Sequence, residues 1–428
     1  LTQSNVPSKI PEQQAPAGDP RWLAGKTVVL VHPAWHSCGS HQVFVTQAQA
    51  YRNMGASVFS VAIADFPGWV AGSKAHRIYY AATPDLVASE RFYAGMPLRR
   101  CVHPRFANAL NQWLHGDRAT ILCAITENAD LPDKLLSLSK IDLIHCNHFF
   151  CMPAALRLKG DRECPILLDT HDMQARQFAL RNEGRRRRLP KAGFATMLAL
   201  ELEQMRKADL LIHLNEEEAA EWRELLPDQP HALIYPAIKP MPTGPGGRDM
   251  VIVASANHPN FLSVVWFIEN VRPLVPDIPL RIIGNVDSMV RASDPALFAK
   301  HAKLFSGRVD DLESVYANAA AVLLPTISGH GISVKTIEAL SSGLPLIATT
   351  EAFRGIAIDP TTLANVTLVG DADGFAKALR SLAERPRLSP EQSLASDTRQ
   401  LYERLFCIDT YQSAITDVVR PLLERRRP

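Results

Sequence analysis

The sequence predicts an α/β protein built as two similar halves that face each other across a cleft. Three observations carry that reading. At 428 residues the chain exceeds the roughly 250–300 over which a single hydrophobic core keeps growing. Short apolar runs alternate with helix-like segments through both halves, and such alternation builds parallel sheets. One Pro/Gly-rich stretch, Pro240-Met-Pro-Thr-Gly-Pro-Gly-Gly247, separates the two series.

The first series opens with a buried strand, Lys26-Thr-Val-Val-Leu-Val-His32. A Gly-containing loop, a helical pattern over 42–54 and a second strand over 58–64 follow. Apolar runs at 121–125, 143–146, 166–169 and 210–214 read as further buried strands, with a helix over 195–206. Beyond the linker, strands are expected at 251–255, 280–283, 321–324, 345–349 and 367–369. Helices are expected over 262–270, 311–319 and 333–341, and the tail from 391 to 424 reads as helical. The expected boundaries are a disordered, Pro-rich segment over 1–20, a first domain over 21–240 and a linker over 241–248. A second domain covers 249–395, and a C-terminal helix over 396–428 packs back on the first domain. Ligands of open α/β sheets bind beyond the carboxyl ends of the strands, so two such sheets place a site in the cleft between them.

Composition narrows the function. Lys+Arg number 46 against 44 Asp+Glu, and a net charge of +2 excludes a nucleic-acid binder that relies on bulk charge. No run approaches the ~18–20 apolar residues of a membrane span. The N-terminal residues lack the charged start and apolar run of a signal peptide. Seven scattered Cys, among them Cys101, Cys123, Cys146 and Cys151, form neither a disulfide framework nor a zinc spacing. A cytoplasmic location is the expectation.

The chemistry concentrates in Leu324-Pro-Thr-Ile-Ser-Gly329-His330-Gly331-Ile332-Ser333-Val-Lys335-Thr-Ile-Glu338-Ala-Leu-Ser-Ser-Gly343-Leu-Pro345. A strand ends at Pro325, a Gly-flanked loop follows, and Ser333 is a good N-cap for the next helix. Small residues let the backbone approach a ligand, and the free amides of a helix start favour an anion such as a diphosphate. Lys335 in the first turn opposes the helix dipole unless a phosphate sits there. Glu338, three residues on, shares its face and offers two acceptors to vicinal ribose hydroxyls. The alternative is a plain Lys–Glu pair on a solvated helix.

This stretch resembles the donor-binding motif of GT-B glycosyltransferases of the family 4 type, in the variant Gly-x-Gly-Ile-x-x-Lys-x-x-Glu-Ala-Leu followed by a Gly-x-Pro strand. Neighbouring segments resemble the same family in the same order. They are Ser255-Ala-Asn-His-Pro-Asn260, Leu280-Arg-Ile-Ile-Gly284, Phe305-Ser-Gly307-Arg308-Val-Asp310 and Thr350-Glu351-Ala-Phe-Arg354-Gly355. The match is close over 249–357 and weak in the first half. It implies two Rossmann-like domains. It also implies that Glu338 holds the donor ribose, and that Lys335 with the amides around Gly331, Ile332 and Ser333 meets the diphosphate. Arg308 and the Gly307 turn then lie near the base, and Gly284 belongs to the donor-binding set. Many members carry an acid eight positions before Glu338; here His330 stands there, and it either contacts the donor or caps the loop.

The resemblance extends to the first half. The loop His36-Ser-Cys-Gly39-Ser40-His41 is similar to the one facing the donor, which implies that amides at Gly39 or Ser40 approach the diphosphate; the alternative is an ordinary turn. In Asp142-Leu-Ile-His145-Cys-Asn-His148 strand alternation lets one of the last two residues point at the cleft, and His148 is the expected one. His171 and Asp172 follow another strand, where they either orient or deprotonate an acceptor hydroxyl or serve as a cap and a half-buried ring. The basic run Arg185, Arg186, Arg187 and Arg188 is either a solvated face or a contact with anionic membrane or a lipid-pyrophosphate acceptor.

The implied activity is transfer of a sugar from a nucleotide-diphosphate sugar to a hydroxyl of a glycan or lipid-linked acceptor, as in bacterial polysaccharide synthesis. It would retain the anomeric configuration and use neither cofactor nor metal. Amides and a cation would stabilise charge growing on the leaving diphosphate. The rival readings are another GT-B enzyme, such as an epimerase or inverting transferase, a two-domain binding protein, and a non-catalytic transferase-like subunit.

Overall fold

A computed structural model describes residues 19–36, 38–183 and 191–425. The basic run at 185–188 and most of the N-terminal segment, 1–18, lie outside the described residues. Among the described residues, thirteen strands form two wholly parallel sheets. The first holds β1 (Thr27–Pro33), β2 (Ser57–Ile63), β3 (Glu90–Ala94), β4 (Leu143–Asn147), β5 (Ile166–Asp169), β6 (Leu210–His213) and β7 (His231–Leu233) in the order β3-β2-β1-β4-β5-β6-β7. The second holds β8 (Asp249–Val253), β9 (Leu280–Ile283), β10 (Phe305–Gly307), β11 (Ala319–Leu324), β12 (Leu346–Ala348) and β13 (Val366–Leu368) in the order β10-β9-β8-β11-β12-β13. Each order reverses beside its first strand, between β1 and β4 and between β8 and β11. A ligand crevice opens at such a reversal.

Alternation along the strands explains the layers. In β1 Val29 and Val31 join one buried cluster, with Ile144, Cys146, Ile166 and Leu168, while Val28 and Leu30 join the cluster on the opposite face. The second sheet repeats this, with Val322 and Leu324 on one side and Ala321 and Leu323 on the other.

Several elements differ from the sequence expectation. Residues 121–125 are not a strand but part of the helix Arg118–Glu127, which Asp117 caps by accepting the Thr120 amide at 2.9 Å. That helix is buried on nearly every side, so it lacks the polar stripe that marks a helix in sequence. The short strands β3, β7 and β10 were not expected at all. The tail divides. Helix Asp397–Leu405 stays with the second domain, where Leu401 and Tyr402 enter its core and the Tyr402 hydroxyl donates to Ile238 O at 2.6 Å. The chain reaches the first domain only with helix Ile408–Glu424, later than position 396. There Tyr411, Ile415 and Val419 pack with Val28 and Leu30, and Trp22 Nε1 donates to Thr416 Oγ1 at 3.1 Å.

Ile415 is fully buried in that seam. Ile415→Ala is expected to cost about 2–5 kcal/mol through lost burial and the cavity left behind. Urea unfolding of the full chain checks it, and a cost below about 1 kcal/mol would show that the last helix is not integral to the first domain.

Candidate active site

A cavity of ≈ 1160 Å³ lies in the cleft. Its lining comes from loops that leave the carboxyl ends of strands in both sheets: Cys38 and Gly39 after β1, Asp172 after β5, Ser255 to Asn260 after β8, Gly284 after β9, Arg308 after β10, and the loop and helix start after β11.

Three helices begin on this cavity. Helix Gly39–Asn53 starts after Cys38, helix His258–Trp266 is capped by Asn257, and helix Val334–Ser342 is capped by Ser333. Asn257 Oδ1 accepts the Asn260 amide at 2.9 Å, and Ser333 Oγ accepts the Thr336 amide at 3.3 Å. Helix starts carry partial positive charge and amides without intrahelical acceptors, so their convergence favours an anion. Side-chain cations join them: Arg181 from the first domain, and Arg308, Lys335 and Arg354 from the second.

Of the donor-side candidates, Gly39, Gly284, Arg308, His330, Ile332, Ser333 and Lys335 line the cavity. Glu338 is 2% exposed and lies beneath Lys335, whose Nζ is 2.9 Å from Glu338 Oε2. Ser40 and Gly331 are set back from the wall. Gly331 has a structural part of its own. Its φ is +63°, a conformation glycine adopts without penalty, and a Cβ there would overlap Asp172 Oδ1 of the facing domain. Gly39 makes a similar approach, since a Cβ on it would come 3.3 Å from Val334 Cγ2.

The first-domain candidates separate. Asp172 stands on the cavity wall, half-buried, and burial pushes its carboxyl up against the pull of Arg354 and Arg181. His171 lies behind it. Its Nε2 donates to Asn147 Oδ1 at 2.9 Å, and burial drives its pKa down to about 3, so the ring is neutral. His148 does not point into the cleft as strand alternation suggested. It leaves β4 with φ +64°, is 1% exposed, and stacks on His171 with centroids 3.9 Å apart and planes at 8°. Neither ring nitrogen of His148 has a hydrogen-bond partner, and burial holds its pKa well below the usual histidine range. His148, expected at the cleft, and His171, expected to orient or deprotonate an acceptor hydroxyl with Asp172, are thus both enclosed behind the wall, and of the three only Asp172 lines the cavity.

Beneath these rings runs a buried polar layer. Gln47 Nε2 donates to Asp169 Oδ2 at 2.9 Å, Asn147 Nδ2 donates to Gln47 Oε1 at 2.8 Å, and Tyr51 Oη lies 3.0 Å from His145 Nδ1. Sequence reasoning missed this layer and also Arg181 and Arg354. The Arg354 guanidinium packs so closely on Gly329 that a Cβ there would overlap it. The signal for Arg354 was its place in the turn after β12, at the carboxyl end of a strand. Among the described residues, no group of three or more His, Cys, Asp or Glu converges to hold a metal ion.

Two outcomes follow from this geometry. Gly331→Ala is expected to push the loop off Asp172 and weaken nucleotide binding by at least about tenfold, measured by calorimetric titration. Asp169 gives a pH dependence. Burial raises its carboxyl from 3.8 to about 8. Because the folded value is the higher one, its contribution to stability is complete below pH 3.8 and is lost as pH rises through 8. In Asp169→Asn the decline in stability from about pH 5 to 8 is therefore expected to flatten, by up to about 1.4 kcal/mol per unit. Parallel declines in variant and wild type, from urea unfolding across that range, would refute it.

Comparison with known proteins places this geometry. Residues 247–385 match the family described as Glycosyl transferases group 1. A segment of 116 residues is 29% identical to the phosphatidyl-myo-inositol mannosyltransferase of Mycolicibacterium smegmatis; it is 26% of this chain and spans 30% of that protein's length. Among solved structures, Anabaena HepE in complex with UDP aligns over 92% of this chain and 100% of its own, with a TM-score of 0.60 at 13% identity. Sucrose-phosphate synthase from Thermosynechococcus elongatus aligns over 94% and 100%, with a TM-score of 0.60 at 17% identity. The chain thus has the GT-B glycosyltransferase fold, and its second domain matches the group 1 glycosyl transferases.

Proposed function

We propose that the chain is a glycosyltransferase that moves a sugar from a nucleotide-diphosphate sugar to an acceptor hydroxyl. The observation that carries this reading is the convergence of three helix starts and four cationic side chains on one cleft cavity between two Rossmann-like sheets. Such a site stabilises a diphosphate and, more so, the charge that grows on it as the sugar departs. The HepE structure holds UDP, and the mannosyltransferase relative supports the same class of activity.

In this reading the ion pair between Lys335 and Glu338 is the resting arrangement. Lys335 neutralises a buried carboxylate that would otherwise be costly. A bound nucleotide supplies two ribose hydroxyls to Glu338 and a diphosphate to Lys335, so each partner exchanges the other for the ligand. The charge on the leaving group is then met by Lys335 and the amides of the Ser333 helix start, with no metal required. Asp172, from the opposite wall, faces the acceptor side. Retention of anomeric configuration, an acceptor that is a glycan or lipid-linked glycan, action on the cytoplasmic side and a role in bacterial polysaccharide synthesis complete the proposal. They rest on the resemblance of the donor motif.

A thermal-shift panel of UDP, GDP, ADP, dTDP, CMP and NAD tests the donor site. A ligand at ~100 times its dissociation constant stabilises by about 2.7 kcal/mol, and one nucleoside diphosphate is expected to do so. In Lys335→Ala and Glu338→Ala the shift is expected to shrink with the fold intact, while Asp172→Asn keeps the shift and loses turnover. No shift with any nucleotide, or unchanged shifts in both second-domain variants, would sink the assignment.

A further inference from the structure

A surface away from the donor cavity has no part in that mechanism. The loops after β2 and β3 lie side by side: the Gly68 amide donates to Met96 O at 2.9 Å, and a Cβ on Gly95 would overlap the Trp69 carbonyl. This close approach of backbones, possible only at glycine, leaves the large side chains no room between the loops. They point outward. Phe66 is 56% exposed, Trp69 45%, Leu98 66% and Val102 87%. The Phe66 and Trp69 rings touch, with centroids 5.4 Å apart, and the Leu98 side chain covers Gly68. Contiguous exposed aromatic and aliphatic groups mark an interaction surface.

The charges around the patch indicate its partner. The loops after β2 and β3 and the helix Lys74–Ala82 carry Lys74, Arg77, Arg99 and Arg100 against Asp65, and Asp130, from the loop after helix Arg118–Glu127, lies beside them. Asp65 is turned inward to accept from Trp35 Nε1 at 3.0 Å, and Asp130 pairs with Arg100 and, at 3.6 Å, with Arg99. The Arg99 side chain is nonetheless 77% exposed. Apolar tips with an amphipathic Trp, ringed by cations, suit the headgroup region of an anionic bilayer. The position agrees. Both loops leave the carboxyl ends of their strands, the edge of the sheet from which Asp172 reaches the cleft, and the Ala34 amide ties the loop after β1 to Ile63 O at 2.7 Å. A bilayer here would lie beside the acceptor side of the cleft.

We infer that Phe66, Trp69, Leu98 and Val102, with Lys74, Arg77 and Arg99, form a docking surface for an anionic phospholipid bilayer. It is a surface distinct from the basic run at 185–188, and it does not depend on the chain being a transferase.

Vesicle flotation of the full chain tests it, with phosphatidylcholine vesicles and with vesicles that also contain phosphatidylglycerol. Wild type is expected to float with the anionic vesicles, less so at high salt, and to stay behind with phosphatidylcholine alone. The triple variant Phe66→Ser, Trp69→Ser, Leu98→Ser is expected to lose roughly tenfold or more in partitioning, as is Lys74→Glu, Arg77→Glu, Arg99→Glu. An unchanged melting temperature and nucleotide response in each variant separate lost docking from lost folding. Wild type that does not float, or an apolar variant that floats like wild type, overturns the inference; the latter moves the contact to the run at 185–188. A dimer in sedimentation that the apolar variant abolishes also overturns it, by assigning the patch to a second copy.

Discussion

The two domains meet at the floor of the cleft where glycines of one lie against side chains of the other, and the site depends on that. Gly331 closes on Asp172, Gly39 on Val334, and Gly355 on Asn215, where an added Cβ would come 2.9 Å from the Asn215 Cβ. The Gly355 carbonyl accepts the Glu216 amide at 3.1 Å. Glycines, with no side chain of their own, let the facing loops approach at short range. That distance brings helix starts from both domains onto one cavity and sets Arg354 and Asp172 within each other's field. Bulk at any of these glycines would widen the cleft and separate the charges that make it an anion site.

The first domain keeps its polar residues in two separate places. On the wall stand groups that a ligand can reach, Asp172 and Arg181. Behind the wall lie His145, Asn147, His148, Asp169 and His171, all nearly without exposure. Burial makes the imidazoles neutral and Asp169 hard to ionise. A neutral hydrogen-bonded layer costs far less to bury than a charged one. It fixes the loops after β4 and β5, and through them Asp172, in one arrangement. Two further buried acids act on the same loop: Glu218 accepts the Met173 amide at 3.2 Å, and Glu201 accepts the Gln174 and Ala175 amides at 3.1 and 2.9 Å. The loop's conformation is therefore imposed from behind, leaving the carboxylate of Asp172 to face the cleft.

What could be read from the sequence follows from the kind of signal each feature leaves. The central strands were legible because each is apolar on both faces, as in Val28 to Val31, and the donor helix because a Gly loop, a Ser cap and a Lys–Glu spacing coincide within ten residues. Residues 121–125 misled because a helix buried all round has the same apolar run as a buried strand. The strands β3, β7 and β10 are short and carry Glu90, Arg91, His231 or Ser306 within them, so they lack such a run. The crossover to the first domain was expected too early, at 396, because the cap of its helix is Cys407, whose Sγ accepts the Thr410 amide at 3.5 Å, a residue that carries no cap signal. His148 left no trace because a positive φ at a non-glycine residue is imposed by tertiary packing.

The same packing explains why His148 and its neighbours matter without touching the ligand. The turns after β4 and β5 each hold one backbone conformation that residues other than glycine avoid, at His148 and at His171. Both are kept by one interaction, the parallel stacking of the two rings between Phe44 and Phe150. Strain of this kind persists only where surrounding structure over-determines it. Here the surrounding structure is the floor of the cleft, and the residue that emerges from the second of these turns is Asp172. The stacked pair thus spends stability on direction: it holds the turn from which Asp172 emerges to meet Gly331, in the loop that begins the donor helix.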